Sequence, residues 1–205
     1  LPTENFEDEK LAEKMLENAK ENGVSIVAEN VTYSYADSDR NVINCIDFSA
    51  NPGETIAFVG PSGEGKTTIL RLILGLVNKN EGSLKLKVQD GDELDISPST
   101  RRFCSYVPQE NAVFSGTVAE NLRIVNPDAT DEQMEYAAEM SNSRYFIERL
   151  PNKYDTYLKQ AGAGLSQGQR QLLAIARAIL ADPKILILDE ATSSVDTRTE
   201  KNIQD

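Results

Sequence analysis

Histidine is absent from all 205 residues. That excludes imidazole metal sites and any Ser-His or Cys-His nucleophilic pair within this sequence. Cysteine is scarce as well. Cys45 and Cys104 stand far apart and form no C-x-x-C, so the expectation is two buried thiols in a reducing compartment. No run approaches the roughly 20 apolar residues that a membrane helix needs, and Leu1-Pro2-Thr3-Glu4-Asn5 has neither a basic n-region nor an apolar h-region. Neither a membrane span nor a signal is expected in this segment, which on its own should be soluble. Positive charge is in deficit, with 21 Lys and Arg against 33 Asp and Glu and a net charge of −12. This argues against a nucleic-acid duplex as the main partner, although a local basic groove stays open.

What remains is an ordinary globular composition, 40% apolar, enough to bury a core in one large domain or two small ones. Leu1 stands where an initiator Met would be, and the sequence stops at Ile203-Gln204-Asp205 within a helical pattern. The expectation is a segment of something longer.

The rest is organised around Thr55 to Thr68. The apolar run Ile56-Ala57-Phe58-Val59 stops at a glycine, passes through Gly60-Pro61-Ser62-Gly63-Glu64-Gly65, and gives way to Lys66-Thr67-Thr68 and the helical pattern Ile69 to Leu74. This reads as strand, phosphate loop, helix. Gly60, Gly65, Lys66 and Thr67 fill every required position of G-x-x-x-x-G-K-[ST]. Glycines permit the tight turns, backbone N–H groups and the helix start face a phosphate, and Lys66 adds a point charge. Thr67 offers a hydroxyl to Mg²⁺, a cation that prefers oxygen donors beside phosphates.

Residues 3 to 22 are acidic and helix-prone, with Leu11, Met15, Leu16 and Ala19 on one face and Asn22-Gly23 as a stop. From Val24 the period becomes that of strands: Val24 to Val27, Val31 to Tyr35, a polar turn at Asp37-Ser38-Asp39, then Val42 to Phe48. Polar turns at such short spacing point to antiparallel pairing. Tyr33 and Tyr35 share a face if the strand is regular, and either could offer a ring to a base, although packing is the simpler reading of the pattern. Short strands follow at Ser83 to Val88, Glu93 to Ile96 and Phe103 to Val107, the last ended by Pro108 and followed by Gln109. The end of a strand is where α/β sheets place ligands. Residues 117 to 150 read as helices punctuated by Pro127 and Pro151, a helical subdomain with no catalytic constellation.

A second glycine-wrapped helix start lies at Gly162-Ala163-Gly164-Leu165-Ser166-Gln167-Gly168-Gln169. Ser166 with Gln169 has the spacing of a capping box, and Leu172, Ile175, Ala176 and Ile179 recur along one face until Asp182-Pro183. An anion site and an ordinary capped helix are both compatible with this pattern. Ile185-Leu186-Ile187-Leu188 is a continuous apolar run, as in a strand buried on both faces of a parallel sheet, and it ends in Asp189-Glu190. Beside a phosphate loop, adjacent carboxylates can divide the work: one holds Mg²⁺ through water and the other polarises the attacking water.

Together these residues resemble the nucleotide-binding domain of an ATP-binding cassette transporter. Leu165-Ser166-Gln167-Gly168-Gln169 is similar to the family signature Leu-Ser-Gly-Gly-Gln, Gln109 after Tyr-Val-Pro resembles the glutamine loop, and Ser194-Val195-Asp196 resembles the D-loop. Phe114 to Leu122, Leu150-Pro151 with Tyr154-Asp155-Thr156, and Asp189 to Asp196 are similar to exporter cassettes, in which the domain follows a membrane domain in one chain. The implied fold is α/β: a P-loop NTPase core with a mainly parallel sheet, an N-terminal antiparallel β-subdomain and an inserted helical subdomain at about 110–165. Residues 1–23 become a linker helix from the last membrane helix, and 24–205 the cassette.

The resemblance also implies roles. Tyr35 would stack on adenine, residues 60–68 including Lys66 and Thr68 would hold the phosphates of ATP, and Thr67, Gln109 and Asp189 would serve Mg²⁺. Glu190 would be the general base. Ser166, Gln167, Gly168 and Gln169 would close over the γ-phosphate held by a second cassette, identical or divergent and arranged head to tail, with Asp196 crossing the same interface. The implied function is the ATP-hydrolysing motor of an exporter, at the cytoplasmic face of a membrane beside its own transmembrane domain. A soluble cassette ATPase acting on ribosomes or DNA is the alternative, but no basic face or long coiled-coil insertion accompanies it. Departures from the family pattern are Gln167 for a glycine, Glu64 inside the phosphate loop, and Gln160 where exporters tend to carry a glutamate. The family's switch histidine would lie beyond Asp205, so these 205 residues are expected to bind ATP with Mg²⁺ and turn it over slowly; a robust steady-state ATPase rate would refute this.

Overall fold

A computed structural model describes residues 6–36, 40–61, 63–89, 91–109 and 112–189. The chain divides into two compact units, Leu1–Cys104 and Ser105–Asp205.

In the first unit, helix α1 (Phe6–Asn22) buries Ala12, Met15 and Ala19, three and four residues apart, while Leu11 and Leu16 flank this stripe half-buried. Its charged flank is tied down by Lys14 to Asp92 at 2.5 Å and Arg102 to Glu13 at 3.4 Å. Strands β1 (Ser25–Tyr33), β2 (Ile43–Ala50), β3 (Glu81–Lys87) and β4 (Glu93–Asp95) form an antiparallel sheet in the order β2-β1-β3-β4. One continuous β1 takes the place of the two short strands expected around Val24 and Val31. A bulge joins them: the register shifts between Ala28 and Val31, and Asn30 takes a left-handed φ of 49°. Gly82 on β3 lies against this bulge with φ +84°, where a Cβ would fall 2.3 Å from the Asn30 carbonyl oxygen.

Helix α2 (Lys66–Ile73) connects β2 to β3 and buries Thr68, Leu72 and Ile73. The strand expected at Ile56 to Val59 is not formed. The segment pairs with no strand among the described residues. Alternate side chains diverge instead: Phe58 packs edge-to-face on Phe48 with ring centroids 5.2 Å apart, while Val59 is 90% exposed.

In the second unit the elements are β5 (Cys104–Val107), β6 (Gly116–Thr117), α3 (Val118–Arg123), α4 (Asp131–Met140), α5 (Arg144–Ile147), β7 (Tyr157–Leu158), α6 (Gln167–Leu180) and β8 (Ile185–Leu188). The first residue of β5 is also the last of the first unit. Helix α6 is buried over a broad arc rather than along a single stripe. Leu173, Ala176 and Leu180 join a core of Val118, Leu122, Ala137, Ala138 and Ile147, whereas Ile175 and Ala178 pack on Val107. Leu172 and Ile179, expected inside, are half-buried. Strands β5 and β8 are hydrogen-bonded neighbours, and β6 pairs antiparallel with β7. The expectation that β8 is covered on both faces fails: Ile187 is buried but Leu186 is 41% exposed, since alternate residues of a strand point to opposite faces and the described residues cover only one.

The cysteines also depart from expectation. Cys45 is exposed on edge strand β2, with a left-handed φ of 48° and its Sγ 3.6 Å from Thr32 Oγ1, and Cys104 is half-buried, with burial pushing its thiol up to about 12. Iodoacetamide at about pH 8 should therefore alkylate Cys45 and spare Cys104, since the thiolate is the nucleophile; peptide mass spectrometry reads the site. Gly82→Ala should destabilise the β1–β3 pair by about 2–4 kcal/mol, through the collision at the bulge and a strained φ. A urea midpoint equal to that of the parent protein would contradict this.

Candidate functional site

In the first unit, helix α2 starts on a glycine. Gly65 precedes α2 with a left-handed φ of 90°, and no side chain caps the helix. A helix leaves its first N–H groups without intrahelical partners, and those of α2 are open to an anion. Gly65 is required there: a Cβ would lie 2.7 Å from Ile43 Cδ1 and 3.1 Å from the Val42 carbonyl. Lys66 Nζ donates to the carbonyls of Gly60 and Pro61, each at 2.7 Å, so the cation is folded onto its own loop. Glu64 is exposed and does not turn away from the loop; a Cβ on Gly60 would sit 3.0 Å from its Oε2. The carboxylate therefore adds negative charge where phosphate would bind.

Tyr35 is brought to the same helix. Its hydroxyl lies 3.1 Å from Thr68 Oγ1 and accepts from Arg71 NH1 at 3.3 Å, and its ring meets Tyr33 edge-on at 5.0 Å. The hydrogen bond with Thr68, followed by that with Arg71, draws the phenol below its ordinary range, while burial raises that of Tyr33. Strand β1 ends at Tyr33, so the regular alternation expected through Tyr35 does not hold, and Tyr35 remains 37% exposed.

The second unit holds the other predicted residues. Gln109 is exposed just beyond β5 and Pro108. Asp189 is half-buried at the end of β8, its N–H bonded to the Val107 carbonyl at 3.0 Å, and the Tyr106 hydroxyl donates to its Oδ2 at 2.9 Å. Ser166 caps α6 in the expected capping box: Gln169 N donates to Ser166 Oγ at 3.2 Å, and Ser166 N to Gln169 Oε1 at 2.9 Å. Gln167 takes no part in the cap and is exposed at the first helical position, with Gly168 half-buried behind it. Gln160 is exposed in the turn Gln160–Gly162. Ser62, Glu190 and Asp196 lie outside the described residues.

Pattern reading missed Asn121 and Arg177. Asn121 is 1% exposed; it accepts from Phe114 N at 2.9 Å and donates to the carbonyls of Phe114 at 2.9 Å and Thr117 at 3.0 Å. Arg177 on α6 donates to the carbonyls of Asn121 and Ala112, each at 3.0 Å, and its guanidinium is lowered in pKa by burial. The segment that follows Gln109 is thus clamped to α6. A lone arginine inside the apolar run Leu172 to Leu180 was the available signal.

The family model described as ABC transporter matches residues 43–193, most of the chain. The chain belongs to the ABC transporter family. It is 45% identical over 181 residues, 88% of its own length, to the uncharacterized ABC transporter ATP-binding protein YfiC of Bacillus subtilis, covering 30% of that protein. It is 45% identical over 174 residues, 85% of the chain, to the beta-(1→2)glucan export ATP-binding/permease protein NdvA of Nitrobacter winogradskyi, covering 28% of it. Among solved structures, a bacterial Atm1-family ABC exporter with ATP bound superposes with a TM-score of 0.77 at 36% identity, over 89% of this chain and 32% of that one. The chain therefore spans about 30% of the length of the relatives it matches. Its fold is the mixed α/β fold of that exporter's matched portion, with the antiparallel sheet and the helices in place.

Glu64→Ser is expected to tighten ATP binding about 3- to 10-fold at low ionic strength by removing a like charge from the phosphate loop. The gain should shrink at about 0.5 M salt, where screening is strong. Titration with a fluorescent nucleotide at both salt levels checks it, and unchanged affinity at low salt would contradict it.

Proposed function

We propose that this chain is the ATP-binding and hydrolysing motor domain of an ABC exporter, in which ATP-driven pairing of two cassettes is coupled to export by a transmembrane domain of the same transporter. The observation that carries the reading is the start of α2 on Gly65, with Lys66 folded onto the preceding loop and Tyr35 hydrogen-bonded to Thr68. Family membership and the exporter relatives support it. The donors fit Mg²⁺: Thr67, Gln109 and Asp189 offer hydroxyl, amide and carboxylate oxygens, the hard ligands this ion prefers. When bound beside ATP, the ion would neutralise charge on the phosphates. Lys66 and the α2 amides would hold the phosphates, Tyr35 would meet the adenine ring, Asp189 would hold the ion through water, and Glu190 would accept the proton of the attacking water.

In this reading Ser166 to Gln169 and Asp196 serve the nucleotide held by a second cassette, so one chain carries two different half-sites. Turnover by this chain then depends on pairing. Residues 1–23 link it to a membrane helix, residues 110–165 face the transmembrane domain, and the working location is the cytoplasmic face of the membrane. No helix among the described residues is itself long and apolar enough to cross a membrane.

Binding and closure separate by mutation. Lys66→Ala should abolish ATP binding, whereas Ser166→Arg should leave monomer affinity within about twofold and block ATP-dependent pairing of a Glu190→Gln background, as read by light scattering. Equal loss of ATP affinity in both variants would contradict the division of roles.

A further inference from the structure

Tyr106 has no role in the reading above, yet its hydroxyl reaches the carboxylate assigned to the metal. Tyr106 is on β5 and Asp189 follows β8, the two strands being hydrogen-bonded neighbours joined again by Asp189 N to the Val107 carbonyl at 3.0 Å. The phenol donates to Asp189 Oδ2 at 2.9 Å, and Oδ1 has no hydrogen-bond partner among the described residues. We infer that Tyr106 is a positioning residue for the metal site: its hydrogen bond fixes the Asp189 carboxylate and directs Oδ1 toward a metal-bound water.

The physical basis is the behaviour of outer partners of metal-holding groups. A carboxylate on a single bond rotates freely about its last torsion, and a donor on one oxygen removes that freedom and sets which oxygen meets the cation. The donor comes from a neighbouring strand rather than a loop, so its position is set by a backbone ladder. The same pair ties the segment leading to Gln109 to the segment leading to Glu190, so both would move with the metal.

This inference rests on the assignment of Asp189 to Mg²⁺, and the test separates the two. In the full chain, ATP affinity is measured by competition against a fluorescent ATP analogue, once with saturating Mg²⁺ and once in EDTA, for the parent protein, Tyr106→Phe and Asp189→Asn. Tyr106→Phe keeps the ring and removes only the hydroxyl. The expected result is that Tyr106→Phe loses about 10-fold of the Mg²⁺-dependent gain in affinity while its affinity in EDTA stays within about twofold, and that Asp189→Asn loses at least as much. If Asp189→Asn loses the gain and Tyr106→Phe keeps it, the positioning role is overturned and the assignment of Asp189 stands. If Asp189→Asn keeps the gain, the assignment falls and the inference with it. A larger gain in Tyr106→Phe would show that the phenol competes with the metal, and equal losses in Mg²⁺ and EDTA would show a packing role; either overturns the inference.

Discussion

The first-turn amides of a helix must find acceptors, and this chain meets that demand in two contrasting ways. Helices α3, α4 and α6 begin with reciprocal boxes, Thr117 with Glu120, Thr130 with Gln133 and Ser166 with Gln169. Helix α2 begins on Gly65 with no side-chain acceptor at all. Free first-turn amides and the helix dipole favour an anion, and Lys66 rests on the carbonyls of Gly60 and Pro61. The binding role proposed for the loop rests on this local deficit of acceptors. Glu64 increases the electrostatic cost of filling that deficit, which sets this loop apart from one lined only by small residues.

In the second unit a buried polar network does the corresponding work of fixing backbone. Asn121 satisfies both the N–H and the carbonyl of Phe114, and Arg177 spans from α6 to Ala112 and Asn121. Burying a guanidinium is costly unless its donors are used, and here they reach backbone carbonyls and the Asn121 side chain. Helix α6 is therefore held over Leu173 to Leu180 both by packing on two clusters and by the Arg177 clamp, while Ser166 and Gln167 at its start are exposed.

Much of the site was legible in residue type and spacing. The phosphate loop, the capping box at Ser166 and the stop at Asn22-Gly23 are local features, settled within a few residues by φ preferences and hydrogen-bond reach. The strands were less so. Ile56 to Val59 and Ile185 to Leu188 are apolar throughout, but Val59 and Leu186 face outward, because hydrophobicity along a strand does not say which edges or faces find partners. The bulge at Asn30 was equally invisible, since the room for it is left by Gly82, on a strand some fifty residues away.

By itself the sequence determined the family, the order of its motifs and the chemistry available at each: an anion-binding helix start, a lysine, oxygen donors for Mg²⁺, and no histidine. Only the tertiary structure decided which of these groups meet. It set Tyr35 against Thr68, placed Tyr106 on Asp189, and drew Arg177 and Asn121 onto the segment after Gln109. The reason is that capping, turning and charge act over a few neighbouring residues, whereas the pairs Tyr35–Thr68, Arg177–Ala112 and Tyr106–Asp189 join positions 33, 65 and 83 residues apart, and strand register and helix packing bring such positions together.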